Sequence, residues 1–420
     1  MIIAFNILIA IIAIILTLYV LEKDLGLFLL SFMIIIQYVW MFFSLIVIES
    51  GVHIVEQGRN GYFTYSSLIL LLFYISTLFS LILFRKIFSN FFKNLKATKF
   101  KFFGVKEESL TLLLISFVFF AAFLNLFLSE IPLFSEKITK FNYWENSRLP
   151  FLKPIVGNVM AFVAFGTALL YKNYKKTSII FGILYVAYLV LIGQKFTGFF
   201  IGTIGALIAL YYASKRSIKF KLKWLTNKYL LFFMAAMFGL VLYKYTIKPP
   251  FENLGLSPLE SVFYRAFGLQ AHVFWGATEQ YVYLDKPQTW NISELWKGMH
   301  HLMLEFWPWR YEDFVSVTSR GVSWTNAYPS ILLRIFPVFI AIIANFILLS
   351  FLSFIQCLLE FFIKKKSFIL SIIFFQLLIW TSYTFTMAYF NKLVIPILFT
   401  GLFFIYKYIK VLYKRELNND

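Results

Sequence analysis

The chain has 420 residues, 60% of them hydrophobic and 14% charged, with a formal net charge of +19. That balance excludes a water-soluble globular domain, because too few polar residues remain to cover so large an apolar interior. A nucleic-acid partner is excluded too: the basic residues fall in short runs between apolar stretches, the pattern that orients membrane proteins.

A hydrocarbon layer ~30 Å thick is crossed by about 20 apolar residues in a helix. By that measure the chain holds eleven expected spans, at 2–21, 25–48, 66–84, 109–129, 152–171, 177–193, 196–213, 229–247, 330–361, 367–386 and 393–411. The first has no basic segment ahead of it and no small-residue cleavage site, so it reads as a retained helix and not a signal peptide. The ninth is too long for a simple crossing and is expected to tilt or to run past the membrane. With the N-terminus outside, the inner segments hold 24 of the 39 basic residues and only seven of the 20 acidic ones. An N-out, C-in orientation is therefore expected. The single cysteine, Cys357, lies in a span, which rules out an internal disulfide.

The fold class that follows is all-α: a polytopic integral membrane protein with about eleven transmembrane helices and one large helical loop on the outer face. Three parts are expected: eight helices over 1–247, the loop or cap over 248–328, and three helices with a cytoplasmic tail over 329–420. The cap holds six of the ten tryptophans, three of the four histidines and eight of the 20 acidic residues. A connector between two spans would be short and polar, so function is expected here. Ser257-Pro258-Leu259-Glu260 is a capping box with proline at the first helical position. It predicts a helix to about Tyr283. Asn291-Ile292-Ser293-Glu294 predicts a second helix, begun the same way and ended near Trp307-Pro308. From Trp309 to Ala327 the chain is expected to be irregular.

Arg265, His272 and Glu279 are seven residues apart and on a continuous helix would share one stripe with Gly268 and Gly276. Either the small residues admit a bulky partner to the cation and imidazole, or the stripe is the polar face of an interfacial amphipathic helix. Arg310 and Arg320, with Glu312, Asp313 and Gly321, offer the planar forks that suit phosphate. The alternative is pairing with loop carboxylates or lipid headgroups. Lys195, in Gly193-Gln194-Lys195-Phe196-Thr197-Gly198, is a charge at a tight turn between two spans. It faces a cavity or partner, or it snorkels to headgroups. Arg334, about one turn inside the ninth span, is read the same way. His300 and His301 are adjacent and point to different sides of a helix, and no His/Cys/carboxylate set has ligand spacing, so neither metal nor cofactor is expected. Glu305, one turn beyond His301, either orients it as a general base or forms a surface pair with it. The tryptophans read as interfacial anchors and core packing before a sugar-stacking platform.

An outward cap between late spans, a Gly-x-basic turn at an earlier outer helix end and loop arginines together resemble the Wzy-type O-antigen polymerases and the related O-antigen ligases. Gly193-Gln194-Lys195 is similar to that family's Gly-Ser-Arg turn, with lysine for arginine. Arg265 with Gly276, and Arg310 with Gly321, fit its arginine, ten residues, glycine spacing. Asn326-Ala327-Tyr328-Pro329 resembles its His-Asn-x-Tyr at a helix start, with Thr325 where the histidine would be. The resemblance implies a GT-C-like architecture in the bacterial inner membrane, with the cap in the periplasm. It implies inverting transfer of a glycan from undecaprenyl pyrophosphate to the terminal sugar of another lipid-linked repeat unit. Lys195, Arg265, Arg310, Arg320 and Arg334 would hold the pyrophosphate, Asn326 and Tyr328 would line the site, and His272, then His301, would be the base. Membrane lipids and a chain-length regulator protein are the further partners implied. The alternatives are a ligase that transfers glycan to the lipid A core, and a flippase of the lipid-linked unit.

Overall fold

The computed structural model describes residues 2–93, 106–135, 137–138, 140, 142–157, 160–194, 197–213, 255–319, 324 and 326–416, with scattered positions between 228 and 246. Among the described residues, six helices are long and apolar enough to cross a membrane. They are α1 (Ile2–Lys23), α2 (Leu25–Ile48), α3 (Ser66–Phe92), α4 (Glu107–Leu128), and two late ones, Val338–Lys364 and Phe368–Met387. Three shorter helices follow α4: α5 (Met160–Leu170), α6 (Lys175–Leu191) and α7 (Thr197–Ala213). Within the expected span at 152–171, Lys153–Val156 and Met160–Leu170 are helical. The expected span at 229–247 lies outside the described residues, except for isolated positions.

The cap is helical but broken. It comprises α8 (Pro258–Phe263), α9 (His272–Thr278), α10 (Glu294–Phe306) and α11 (Tyr311–Ser319). The capping box forms as expected: Ser257 Oγ accepts from Glu260 N–H, and Glu260 Oε2 accepts from Ser257 N–H at 2.8 Å. The helix it starts does reach Tyr283, but in pieces. It widens to a π turn at Tyr264–Gly268, breaks at Leu269–Ala271, and ends in a second π turn at Glu279–Tyr283. The break has a tertiary cause, since Ala271 N–H donates to Ser44 Oγ of α2 at 2.9 Å instead of to its own helix. The region expected to be irregular after Trp309 contains α11, whose first turn carries Glu312 and Asp313 where the helix dipole favours anions.

The expected ninth span is two helices. α12 (Ser330–Ile335) ends at an extended Phe336, and Pro337 caps α13 (Val338–Lys364). Proline has no N–H to donate and disfavours the helical conformation in the residue before it. The freed carbonyls of Arg334 and Ile335 accept from Thr289 and Trp290 N–H, both at 3.1 Å, so the cap itself closes the end of α12. The chain finishes with α14 (Phe368–Met387) and α15 (Val394–Glu416).

α13 packs along α3, and α14 lies between α13 and the α2, α4 and α5 helices. Several polar residues inside this bundle are bonded across helices, although Gln37 Oε1 and Gln356 Oε1 find no partner among the described residues. Asn345 of α13 donates to Thr77 Oγ1 at 3.1 Å and accepts from Tyr328 Oη at 2.6 Å. Gln37 of α2 donates to the carbonyls of Tyr328 and Thr386. An unpaired amide at such depth would cost several kcal/mol, on the order of 2–7. These bonds therefore fix the register of α2, α3, α13 and the chain entering α12. Charge collects at both ends. At one, Arg85 of α3 reaches Glu360 at 2.9 Å, Tyr212 at 3.0 Å and Asp24 at 3.2 Å. At the other lie the cap and the loop joining α2 to α3.

Candidate functional site

That loop, residues 49–65, is folded. A two-residue hairpin, β1 (His53–Ile54) with β2 (Arg59–Asn60), turns through Gly58 at φ +61°. Its base is held by Glu49, a buried carboxylate that accepts from Thr64 N–H, Thr64 Oγ1, Ser66 N–H and Asn6 Nδ2. Its tip receives the cap. Tyr264 Oη donates to the His53 carbonyl and accepts from Val55 N–H, both at 2.9 Å, and burial pushes its pKa up to about 12.

α9 docks beneath the hairpin and is buried from His272 through Thr278. The reading of this segment as an interfacial helix with a wet polar face is therefore corrected. The single stripe of Arg265, His272 and Glu279 is corrected with it: Arg265 is exposed on the π turn, while His272 and Glu279 are buried beyond the break. His272 Nδ1 lies 2.6 Å from the Leu269 carbonyl. Its Nε2 is 2.8 Å from Glu56 Oε2, in ion-pair range but without hydrogen-bond geometry. With no exposed surface it joins cap to hairpin and has no room for an acceptor sugar. Gly276 does admit a close partner, as its small size suggested. The partner is Gln57 of the hairpin, whose amide would lie 3.0 Å from an added Cβ and donates to the His272 carbonyl.

Glu279 is the strongest link between the two. Tyr62 Oη donates to its Oε1 at 2.6 Å, and Arg59 pairs with its Oε2. The Arg59 guanidinium also lies 4.8 Å from the Trp275 ring centre and holds Gln57 Oε1. Burial and the bond to Glu279 push the Tyr62 pKa up to about 12, so Tyr62 stays a donor.

A second constellation sits where α10, α12 and the Glu279–Tyr283 turn meet. Arg334 Nε donates to Glu294 at 2.6 Å, and Nη1 donates to Tyr281 Oη at 2.9 Å and pairs with Glu305. Tyr281 in turn donates to Glu305, and burial raises its pKa to about 12. Lys286 reaches Glu305 at 2.9 Å. His301 lies alongside, its Nε2 3.9 Å from Glu294. Burial first, then the Arg334 guanidinium, hold this imidazole below the ordinary 6.5. Two expectations change here. Arg334 stands in α12, ahead of the span, with its fork engaged by two carboxylates. Glu294, and not Glu305, is the acid nearest His301. Glu294 is spent on Arg334 and does not complete a capping box; Asn291 Oδ1 instead accepts from Ser293 N–H at 3.1 Å.

The remaining expected residues are dispersed. Arg310 is exposed, and its carbonyl accepts from Trp307 Nε1 at 3.2 Å. Asn326, at φ +61°, donates to the Gln270 carbonyl at 2.9 Å. Tyr328 is buried on Asn345. Lys195 and Arg320 lie outside the described residues. Among the described residues no group of three or more His, Cys, Asp or Glu is gathered to hold a metal ion. Sequence reasoning missed Glu56, Arg59, Tyr62, Tyr281 and Glu294. A signal existed for the first three: three glycines and two acids in a 17-residue loop exceed what a connector needs.

Fold and site together define a polytopic all-α membrane protein with a helical cap seated on a structured loop. Residues 293–405, from the start of α10 into α15, match a family of unknown function, DUF6418. No curated protein matches the chain, and no solved structure does. The matched stretch contains His301, Glu294, Glu305 and Arg334, and so most of the second constellation.

Proposed function

We propose that this chain is a glycosyltransferase that extends a lipid-linked glycan at the outer face of the bacterial inner membrane, in the manner of the O-antigen polymerases it resembles. The reading keeps the N-out, C-in arrangement, eleven spans and a GT-C-like architecture. The observation that carries it is His301. Its side chain is 22% exposed, unlike that of His272, its Nε2 has no hydrogen-bond partner among the described residues, its pKa is lowered, and it stands beside a fixed cation. An imidazole so placed is neutral at pH 7 and free to take a proton.

In the proposed step a sugar hydroxyl of the acceptor repeat unit attacks the anomeric carbon of the donor. The C–O bond to undecaprenyl pyrophosphate breaks with inversion, and the hydroxyl proton passes to His301. The departing diphosphate carries the negative charge. The proposal assigns this charge to Arg265 and Arg310, both exposed on the cap, with Lys195 and Arg320. Each well-aimed donor to such a charge contributes about 2–4 kcal/mol.

The test is purified protein with lipid-linked repeat units, with and without chelator, read as a ladder of products. Wild type should extend the glycan, and His301→Gln should slow extension by about 10²-fold or more. Because the imidazole pKa is lowered, the rate should fall as the pH drops and His301 gains its proton, with its midpoint below that of an ordinary imidazole. Absence of a ladder from wild type sinks the polymerase reading. Transfer to lipid A core acceptors instead would make it a ligase. Full extension by His301→Gln removes His301 as the base.

A further inference from the structure

At the end of the bundle away from the cap, a half-open cavity of about 400 Å³ lies between the end of α1, the start of α2 and the last turns of α3. That volume is within the ~300–1,000 Å³ of small-ligand sites. Its polar wall is Lys23, Asp24, Arg85, Lys86 and Ser89, and its apolar wall is Tyr19, Val20, Leu27 and Ile82. Asp24 is the one acid against three cations, and it is already committed. Its Oδ2 faces Arg85, and its Oδ1 accepts from Leu27 N–H at 2.9 Å. Arg85 Nη2 is taken by Glu360 and Tyr212, while its buried Nη1, 3.2 Å from Asp24, makes no hydrogen bond. No structural carboxylate faces Lys23 or Lys86 within ion-pair distance among the described residues; Lys23 lies 5.8 Å from the Tyr19 ring centre.

We propose that this cavity binds the phosphate group of an anionic membrane lipid. The phosphate sits between the Lys23 and Lys86 ammonium groups, near Arg85 Nη1 and the positive end of α2, and the glycerol and upper acyl carbons lie on Tyr19, Val20 and Ile82. Two arguments favour a lipid over free phosphate. The apolar wall continues the faces of three spanning helices, and this end carries the excess positive charge that marks the leaflet facing the cytoplasm. Lysine holds phosphate as a point charge, which suits a headgroup that enters from the side.

The test uses the full chain in detergent and in nanodiscs. Native mass spectrometry should show phosphatidylglycerol retained in preference to phosphatidylethanolamine. Lys23→Gln with Lys86→Gln should weaken retention by about tenfold or more. Lys175→Gln with Lys176→Gln, at the start of α6, should leave it unchanged. The pair Lys23→Arg and Lys86→Arg keeps the charge and should retain the lipid, which separates loss of binding from loss of folding. Millimolar inorganic phosphate should not displace the lipid. Displacement would overturn the lipid source in favour of a free phosphate anion. Equal retention by wild type and the double glutamine variant, or equal retention of the two lipids, overturns the site itself.

Discussion

At the residue scale the attachment of the cap depends on Glu279. Its side chain is 3% exposed, and its two oxygens are divided between Arg59 and Tyr62. Removing one member of a buried pair leaves the other desolvated and uncompensated, which costs more than the pair contributes when intact. Arg59 is 32% exposed, so water offsets part of that loss. Glu279→Ala is expected to destabilise the protein by about 2–4 kcal/mol. Glu279→Gln keeps an acceptor for Tyr62 and should cost less. Thermal unfolding in detergent, followed by tryptophan emission, would show it, since Trp275 is fully buried beneath Arg59. Melting temperatures of both variants equal to wild type would mean that hairpin and cap are held elsewhere. Such pairs join residues 220 positions apart, and no local pattern announces them. The sequence placed His272, Gly276 and Glu279 on one stripe open to a partner; the structure buries them where the cap meets the hairpin. Their partners, Glu56, Arg59 and Gln57, become visible only when the α2–α3 loop is folded over α9.

At the element scale, what could be read from sequence was whatever is encoded within a turn or two. The capping box at Ser257 and the stop of α10 before Pro308 are local chemistry, and they form where the residues ask for them, whereas the box expected at the start of α10 gives up Glu294 to Arg334. The breaks divide into two kinds. The one at Leu269–Ala271 is imposed by Ser44 of α2 and leaves no trace in the segment itself. The one at Phe336–Pro337 was written in the sequence, and only the length of the apolar run on either side concealed it. α11 carried an acidic first turn but lay among charged and aromatic residues that suggested no period. Gly298 is a case of the legible kind. It takes φ +60° inside α10, and an added Cβ would lie 2.6 Å from the Ala388 carbonyl at the end of α14. That kink lets α10 sit against the bundle. Gly298→Val would need a left-handed conformation that β-branched residues resist, at about 1–3 kcal/mol, and would also collide with backbone. It should loosen α10, lowering the melting temperature and opening the 284–319 stretch to protease. Gly298→Val cleaved at the wild-type rate would show that α10 docks without the kink.

At the scale of the whole molecule, the two ends of the bundle carry different chemistry, and the alternation of spans explains how they were sorted. Asp24, Arg85, Tyr212, and the pair Glu360 and Lys364 come from four separate stretches and converge at one end. The hairpin, the cap, and the turn between α14 and α15 converge at the other, where Gly298 meets Ala388 and Gly58 meets Pro308. Only an ordered up-and-down passage of the described helices brings both groupings about, so hairpin and cap must share a face of the membrane. In the proposed orientation the end with Arg85, the basic one, faces the cytoplasm. A chain carrying Cys357→Ser, which removes the single buried thiol, can report this through new cysteines at exposed positions. A membrane-impermeant maleimide should label Asn60→Cys and Glu312→Cys in intact spheroplasts. It should reach Lys93→Cys and Lys365→Cys only after the membrane is opened. The reverse pattern would invert the orientation and leave the fold intact. Labelling of positions 60 and 312 from opposite sides would break the hairpin–cap contact, and with it the placement of His301 and Arg334 on the face that the proposed glycan extension requires.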